Sequence, residues 1–498
     1  MSKKIRFERK FGHASPIFGL AYAGLIALST LRGYFHLVEL PWYITQFSFG
    51  AALLLGLTWV FVTGNTSRLN LSFNFTLYLM IPNLIILVWS VSLWVYQQQT
   101  LDMILRGSSL TLYQILLLSM FIGVGAMLGE QAIEYTALGF ILANTLVLLD
   151  VMRRAGVGAT VSGMMSFLMS AGSTDNDISR LLEVQDVTFG IGILLLYYLV
   201  AGKEKHWRWF YIFGLTFYLM LGFKRILFPA ILLGLVYYVI IIRFPRKIQM
   251  GITVLVGVLL IIISMGYVIL IRTGVWFEIT DSLGIDLMGR KRLYTHVEPY
   301  YTISPSFMGL GNGIVSKILE SVEVTGNRRL HSDVLRMYIE LGMPVFLLWC
   351  FIMFIGRYLH ITRKYSLNSG AMYMAITLLM YVTFLTDNTL EKYCPEIAWH
   401  VVPLAMILED RSRFSRSLHR SYLFENERNS PWTETNSVSE ETKSQKRKKR
   451  RKLENDTVKQ LRKTRKEGNT TSSETARALA TFREEKWGGS KEKKRRKN

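Results

Sequence analysis

The sequence predicts an all-α polytopic membrane protein, and three observations carry that prediction. Half of the 498 residues are hydrophobic, and 13% of all residues are aromatic. The hydrophobic residues occur in runs of about 17 to 25 separated by short polar connectors, which is the length at which an α-helix crosses a hydrocarbon core about 30 Å thick. The two cysteines, Cys350 and Cys394, lie in or beside such runs, so the chain cannot build a disulfide framework or a CxxC-type metal site.

About twelve membrane spans are predicted. The first span follows several basic residues, like the charged start of a signal peptide, but because many spans come after it we interpret it as an uncleaved transmembrane helix. The predicted ranges are 15–32, 41–63, 71–96, 110–128, 132–149, 186–202, 207–222, 226–242, 249–271, 335–356, 370–387 and 393–409.

The orientation follows from the excess of Lys and Arg in short cytoplasmic loops. The basic loops 202–208, 243–247 and 356–364 are predicted to be cytoplasmic, as are both chain termini. Arg153 and Arg154 fit this rule poorly, because they fall outside beside a membrane end. The topology predicts a large extracytoplasmic loop, residues 272–334, between helices 9 and 10.

The chain is therefore divided into a transmembrane domain, residues 1–409, and a cytoplasmic tail, residues 410–498. The tail has 27 Lys and Arg against 13 Asp and Glu, so it carries +14 of the total net charge of +22. Such a composition predicts disorder or partial helix. We interpret the tail as a solvated segment resting on anionic lipid head groups. Docking to an acidic partner is an alternative. Nucleic-acid binding is a weaker alternative, because the tail sequence shows no folded domain that would recognise nucleic acid.

The stretch "GNRRLHSDVLRMYIELGMP", residues 326–344, gathers charges at the start of the tenth span. His331 and Asp333 are expected at its outer end, with Arg336 and Glu340 deeper on the same helical face as Asp333. Ionisable groups at membrane depth usually face a water-filled cavity or each other. One interpretation is a polar pocket that opens outward, and the other is an Arg336–Glu340 ion pair that anchors the helix end.

A second group of charges lies in "LMLGFKRILFPAILLG", residues 219–234, where Lys224 and Arg225 separate two apolar runs. This turn is predicted to be outside, where the positive-inside rule gives no reason for two cations. They are either a snorkelling pair at a helix end or a fixed positive charge for an anionic ligand.

The third group is "LMGRKRLYTHVEPYYTISPSFMGLGNG", residues 287–313, within the predicted outer loop. It supplies Arg290 and Arg292, followed by His296 and Glu298 as a candidate acid–base pair. The glycines at 309, 311 and 313 give a weak nucleotide-binding pattern without a surrounding strand–turn–helix unit. A tight turn that uses the freedom of glycine at positive φ explains them sufficiently.

Together these residues predict a metal-independent transfer reaction. Guanidinium groups bind phosphates through paired, charge-assisted hydrogen bonds, and a histidine can take a proton from a sugar hydroxyl at neutral pH. The predicted outer face has no cluster of Asp and Glu suited to Mg²⁺. The chemistry indicated is transfer from a diphosphate leaving group whose charge the arginines neutralise.

The pattern resembles the O-antigen polymerase and ligase superfamily, in particular Wzy-type polysaccharide polymerases. Members commonly have a basic residue opening a span before the large loop, then a Gly-Arg, a short Gly-x-Gly turn, and a histidine followed by a Leu and a Glu-x-Gly. The matching positions here are Arg225, Gly289–Arg290, Gly309–Gly313, His331, Leu335, Glu340 and Gly342. The motifs are short, so their order and common side of the membrane carry the resemblance. The basic tail is not a feature of the family.

The resemblance implies a membrane glycosyltransferase that polymerises undecaprenyl-diphosphate-linked oligosaccharide repeats at the outer face of a bacterial cytoplasmic membrane. Arg225 and Arg290 would hold the diphosphate, and His331 would be the base or acceptor-positioning group, helped by Asp333. Additional phosphate or sugar contacts would come from Arg292, Arg328 and Arg329. The expected partners are the lipid-linked glycan, membrane lipids and other polysaccharide-export proteins, without nucleic acid, metal or cofactor.

Two alternatives stay open at this point. A flippase or other transporter would place charges near the bilayer midplane and show internal repeats, whereas these charges cluster at one face. A ligase of the same superfamily would use the same arginines and histidine, so the motifs do not separate it from a polymerase.

Overall fold

The computed structural model describes residues 16–32, 43–169, 187–222, 224–284, 287, 289–320 and 329–428, with the backbone alone over 414–428. Of the residues singled out above, Arg328 lies outside this part of the chain, as do most of the basic tail and the N-terminal basic cluster.

The described residues form seventeen α-helices and no strand, so the predicted all-α class is confirmed for them. In chain order they are α1 Pro16–Leu31, α2 Ile44–Thr63, α3 Thr66–Tyr96, α4 Leu101–Leu128, α5 Ala132–Ala155, α6 Val157–Met169, α7 Val187–Val200, α8 Arg208–Gly222, α9 Leu227–Ile241, α10 Arg246–Arg272, α11 Val275–Ser282, α12 Arg290–Val297, α13 Ile314–Glu320, α14 Asp333–Phe351, α15 Arg357–Lys364, α16 Leu367–Thr386 and α17 Tyr393–Arg428.

The helices indicate a membrane-embedded protein. Six helical segments are long and apolar enough to cross a bilayer: Ile44–Thr63, Thr66–Tyr96, Leu101–Ala155, Arg246–Arg272, Asp333–Lys364 and Leu367–Thr386. Large hydrophobic side chains such as Phe61, Ile17 and Phe213 point outward from the bundle, as expected where lipid covers the surface. A helix overlaps each of the twelve predicted spans, although the number that cross a membrane stays a prediction.

Small residues let the helices of the bundle approach closely. A Cβ atom built on Gly56 of α2 would lie 2.2 Å from the backbone of Gly123 in α4, so the two helices touch through their main chains. Close contact between glycines is typical of helix packing in membranes, where van der Waals contact is a main attraction between helices.

Different connections meet at the two ends of the bundle. At one end, called the tail end here, Lys205 Nζ lies 3.5 Å from carboxylate oxygens of both Glu134 and Glu409. The turns 129–131 and 201–207 therefore meet the last helix at this end. At the opposite end, called the loop end, residues 329–333 meet residues 387–391. The predicted topology groups the same connections, but which side each end faces stays a prediction.

Arg153 and Arg154, which fit the charge rule poorly, both contact one acidic side chain. Asp150 Oδ1 is 2.9 Å from Arg153 Nη2, and its Oδ2 is 2.7 Å from Arg154 Nε. Because both cations share a buried carboxylate one helical turn away, their positive charge is partly neutralised where α5 ends.

Candidate active site

The candidate site lies at the loop end, where α14 begins. Ser332 caps this helix, since its side-chain oxygen accepts a hydrogen bond from the Leu335 amide at 3.2 Å. His331 precedes the cap with φ of +56°, one of two non-glycine residues with positive φ in the described part of the chain. This left-handed conformation costs about 1–2 kcal/mol. The hydrogen bond from the Tyr294 hydroxyl to the His331 carbonyl, at 3.3 Å, helps to hold it.

The carboxylate beside the His331 ring belongs to Asp387. His331 Nδ1 lies 3.6 Å from Asp387 Oδ1, and the two side chains are 28% and 19% exposed. Burial alone would raise the pKa of Asp387. The hydrogen bond from His331, the charge of Lys224 and the Asn388 amide outweigh burial and lower this pKa to about 2. Asp387 is therefore ionised near neutral pH and able to orient the imidazole.

Asp387 was missed in the sequence because it is the last residue of the eleventh predicted span, far along the chain from His331. The available signal was an aspartate placed directly after the apolar run of α16, in "LTDN". Its backbone also binds the start of α14, since the Asp333 amide donates to the Asp387 carbonyl at 3.2 Å. This contact between chain segments fixes the position of His331.

Asp333, expected to assist His331, is directed elsewhere. It is fully buried, with Oδ1 accepting from Arg336 Nη2 at 3.0 Å and Oδ2 accepting from the Leu390 amide at 2.8 Å. A carboxylate two residues after the histidine starts the helix and points into the bundle, whereas the His331 ring stays near the surface. The geometry thus gives the orienting position to Asp387 and a structural position to Asp333.

Arg336 is the centre of a buried ionic network. Its Nη1 lies 3.4 Å from both Glu340 Oε2 and Glu391 Oε1. The Arg336–Glu340 ion pair that we considered as a helix anchor is therefore present. Glu391 also lies 3.6 Å from Arg329 Nε, which connects the network to the surface. Arg329 is thus tied to a structural network, although its side chain is partly exposed.

Arg290 lies at the start of α12, close to Tyr294, which contacts His331, and to Tyr267. It follows Gly289, whose φ of +80° turns the chain into the helix. Tyr294 and Tyr267 share a hydrogen bond of 3.3 Å between their hydroxyls. Burial raises the pKa of Tyr294 well above its usual value, and the nearby Arg290 charge opposes this increase. Tyr294 is therefore a neutral hydrogen-bond donor at physiological pH, with Arg290 beside it.

The remaining cations predicted for the site are more peripheral. Arg225 is exposed in the turn before α9, whereas its neighbour Lys224 is half-buried and close enough for its charge to act on Asp387. Arg292 is exposed on α12. The structure therefore places His331 beside Asp387, the charge of Lys224 within range of Asp387, and the charge of Arg290 within range of Tyr294, which binds the His331 carbonyl. Arg225 follows Lys224 in the same turn.

The rival acid–base pair, His296 and Glu298, has a different geometry. Glu298 forms an ion pair with Arg272 at the end of α10, and the Arg272 guanidinium lies 5.8 Å from the Tyr301 ring. Within the described residues no ion pair joins His296 to Glu298, and the Nε2 atom of His296 is buried without a hydrogen-bond partner. These contacts connect α12 and the following turn to the bundle.

The glycine-rich turn packs into a break in α14. Gly309, Gly311 and Gly313 have φ of +87°, +91° and +88°, so the predicted use of positive φ is confirmed. A Cβ atom on Gly311 would lie 2.1 Å from Trp94 Nε1, and one on Gly309 would lie 2.5 Å from the Gly342 amide. Glycine is required here both for backbone conformation and for space.

The break in α14 occurs at Gly342, which has φ of +73° and ψ of +167°. The Gly311 amide donates to the Glu340 carbonyl at 2.9 Å, and Trp89 Nε1 donates to the Leu341 carbonyl at 3.0 Å. The Glu340 carboxylate accepts from the Gly313 amide at 2.8 Å. The polar groups released by the break are thus bonded within the protein, as the membrane interior requires, and Glu340 has a structural role.

A small polar cavity lies inside the bundle. Its volume is about 30 Å³, and Asn83, Gln114, Asn312, Arg336, Arg357 and Glu396 supply its polar lining. This is room for about two water molecules. Arg357 is only 2% exposed, and two of its guanidinium nitrogens, Nε and Nη1, have no hydrogen-bond partner in the described part of the chain. Water is the natural partner for such buried donors.

No metal centre is evident in the described ranges, where no group of three His, Cys, Asp or Glu side chains could hold an ion. The chain matches no protein-family model and no curated protein. The sequence motifs and the geometry of the site therefore carry the evidence for function.

Proposed function

We propose that this protein polymerises undecaprenyl-diphosphate-linked oligosaccharide repeats at the outer face of a bacterial cytoplasmic membrane, as a metal-independent glycosyltransferase. The observation that carries the proposal is the grouping of Lys224, Arg290, His331 and Asp387 at one end of an apolar helical bundle. A base, its orienting carboxylate and fixed positive charges are the parts needed to transfer a sugar from a diphosphate.

The proposed reaction replaces the bond between a sugar and a diphosphate by a glycosidic bond between two sugars. A hydroxyl oxygen of the incoming repeat attacks the anomeric carbon of the growing glycan, while the bond from that carbon to the lipid diphosphate breaks. The diphosphate leaves with the bonding electrons, and Arg290, Arg225 and Lys224 stabilise its charge. His331 Nε2 takes the hydroxyl proton, since Nδ1 faces Asp387.

The proposed topology has twelve crossings, the loop end outside and both termini in the cytoplasm. It places Lys224, Arg225 and Arg290 on the side where the positive-inside rule disfavours cations. An anionic ligand at the outer membrane surface gives a physical reason for these positive charges.

The transporter alternative has one observation in its favour, namely the buried cavity lined by Arg336, Arg357 and Glu396. Carriers place such charges inside the bundle. However, a cavity of about 30 Å³ is much smaller than a sugar repeat, and the Arg336 charge is already paired. The polymerase is therefore the better supported function.

The test is complementation of a strain that lacks the gene, with gel analysis of lipid-linked and surface glycan. The variants Arg290→Ala and His331→Ala should stop at single repeat units while wild type gives a ladder. Lys291→Ala is the matched control, because it removes a cation from the same helix as Arg290. The ion pair that Lys291 forms with Asp281 is exposed, so its loss should have little effect. The control should give a normal ladder at equal membrane expression.

Other outcomes would select another function. Single units retained on the cytoplasmic leaflet in the deletion strain would favour the transporter. A lipid-linked ladder that is never passed to its final acceptor would indicate a ligase. An unchanged glycan in the deletion strain would refute the assignment to this superfamily.

A further inference from the structure

Helix α11, Val275–Ser282, is the first element after the apolar helix α10. It begins three residues after α10 ends at Arg272, and Gly274, with φ of +81°, makes the turn between them. Because α10 is long and apolar enough to cross a membrane, its end fixes α11 close to the membrane boundary. The environment of α11 can therefore be read from the faces of this short helix.

One side of α11 is apolar and exposed. Val275, Ile279 and Leu283 recur at intervals of four residues, which places them on one side, and they are 37%, 40% and 67% exposed. Glu278 and Asp281 are also exposed, and they lie about 60° and about 120° around the helix from Val275, in the direction away from Ile279, by helical geometry of about 100° per residue. The exposed part of the helix is thus half apolar and half acidic.

The inner side of α11 packs against the candidate site. The Trp276 ring lies 5.3 Å from the ring of Tyr267, and the Phe277 ring lies 6.4 Å from that of Tyr294. These two tyrosines are hydrogen-bonded to each other, and Tyr294 binds the His331 carbonyl. Only the width of one helix, about 10 Å, therefore separates the exposed apolar side of α11 from the tyrosines beside Arg290.

We propose that acyl chains of the outer leaflet cover Val275, Ile279 and Leu283, and that the lipid-linked substrate reaches the site along this edge. The lipid contact continues the apolar exposed surface of α10, which includes Ile262 and Ile269, and the acidic side of α11 faces water. The assignment to the outer leaflet and the part concerning the substrate rest on the proposed function and its topology. A prenyl chain would stay in the lipid outside α11 while its diphosphate reaches Arg290 on the inner side.

The lipid contact is tested without any activity measurement. Ile279→Cys and, as the matched control, Glu278→Cys are labelled with an environment-sensitive fluorophore in the full-length protein, reconstituted in phosphatidylcholine vesicles. The native cysteines are buried, and unsubstituted protein gives the blank. The label at 279 should be quenched by doxyl-labelled lipid and protected from aqueous iodide, whereas the label at 278 should be quenched mainly by iodide.

Two results would overturn the lipid contact. One is equal iodide quenching at both positions. The other is protection of position 279 that disappears when the protein is diluted into excess lipid, because a second copy of the chain would then be the covering partner. Since neither readout depends on turnover, the lipid contact can stand even if no transfer activity is found.

The substrate route is tested with Val275→Ser/Ile279→Ser/Leu283→Ser, which keeps the inner aromatic side intact. The KM for a long-chain prenyl-linked donor in vesicles should rise roughly three- to tenfold, because apolar contacts with the prenyl chain are lost, with kcat nearly unchanged. A short-chain, water-soluble donor should show the wild-type KM. Equal changes for both donors, or a fall in kcat alone, would refute the route and give α11 a structural role.

Discussion

Two histidine–carboxylate pairs in the described bundle show how position decides what the same chemical groups can do. His331 and Asp387 come from different parts of the chain, lie 3.6 Å apart and reach the surface. His400 and Glu396 are one turn apart in α17, 3.3 Å from each other, with the His400 side chain only 1% exposed. His400 Nδ1 also lies 2.7 Å from the Glu396 carbonyl.

The difference is one of access. The His331 side chain is 28% exposed, while the His400 ring packs between Trp399 and Phe121, with ring centres 5.3 Å and 6.0 Å away. The first pair depends on two distant segments meeting, so its geometry is sensitive to the fold. The second pair is formed within one helix and contributes to packing of the bundle.

The largest expected effect is the loss of activity in His331→Ala. The transfer rate should fall by about 10²–10⁴, since that is the usual contribution of a general base, with a smaller loss of stability than in His400→Ala. His400→Ala is the comparison variant and should do the reverse, lowering stability by about 2–4 kcal/mol through a buried cavity. Rates per folded molecule and unfolding in detergent are measured on both. Equal rate losses would remove the distinction between the pairs.

Asp387→Asn should lower the rate roughly 10²–10³-fold, because the imidazole loses the charge that orients it and stabilises its protonated form. Asp387→Glu should recover part of this rate. Asp333→Asn serves as the contrast: we expect it to destabilise the protein, since Asp333 binds Arg336 and the Leu390 amide. If Asp333→Asn stays stable and loses more rate than Asp387→Asn, then Asp333, and not Asp387, is the carboxylate that assists His331.

Glu396→Gln should leave the rate per folded molecule unchanged, since Glu396 lines the internal cavity, and should lower stability through the loss of its electrostatic interaction with Arg357. The double variant Glu396→Gln/Arg357→Gln should be more stable than the single one, as both charges are then removed. The measurement is a double-variant cycle of unfolding free energies. Additive effects would show that the two side chains do not interact across the cavity.

The smallest effect concerns acid. Because the folded pKa of Asp387 is lowered from 3.8 to about 2, its ionised form contributes about 2 kcal/mol of stability above pH 4. That contribution is lost as the pH falls from about 4 toward 2. The stability advantage of wild type over Asp387→Asn should therefore shrink as the pH falls below 4, as measured by unfolding in detergent. A difference that stays the same from pH 5 down to pH 2 would show that the fold does not stabilise the ionised form of Asp387.

The helical architecture could be predicted because it depends on local apolar runs. Two further features could be predicted because i, i+4 spacing and glycine content are local properties of the sequence. They are the Arg336–Glu340 pair and the positive φ of the glycines at 309, 311 and 313. The partner of His331 could not be predicted from the sequence. Spacing along α14 tells which side of the helix Asp333 occupies, but it does not tell that residue 387, at the end of another helix, lies nearer to the imidazole.

The sequence alone predicted only part of the chemistry of the site, because the rest depends on contacts between distant segments of the chain. Sequence alone grouped Arg225, Arg290 and His331 by their predicted side of the membrane. Two other features depend on how separate segments of the chain meet. They are the charge of Lys224 near Asp387 and the ion pair of Arg329 with Glu391. Long-range contacts of this kind leave no periodic pattern in a single sequence.

The break in α14 has a consequence for how the protein enters the membrane during synthesis. The carbonyl groups released around Gly342 would be exposed to lipid tails if α14 inserted alone. Their partners, Trp89 and the turn at 309–313, precede α14 in the chain. The ribosome has therefore already made these hydrogen-bond donors when α14 emerges, and the helix can enter the bilayer beside groups that satisfy its broken backbone.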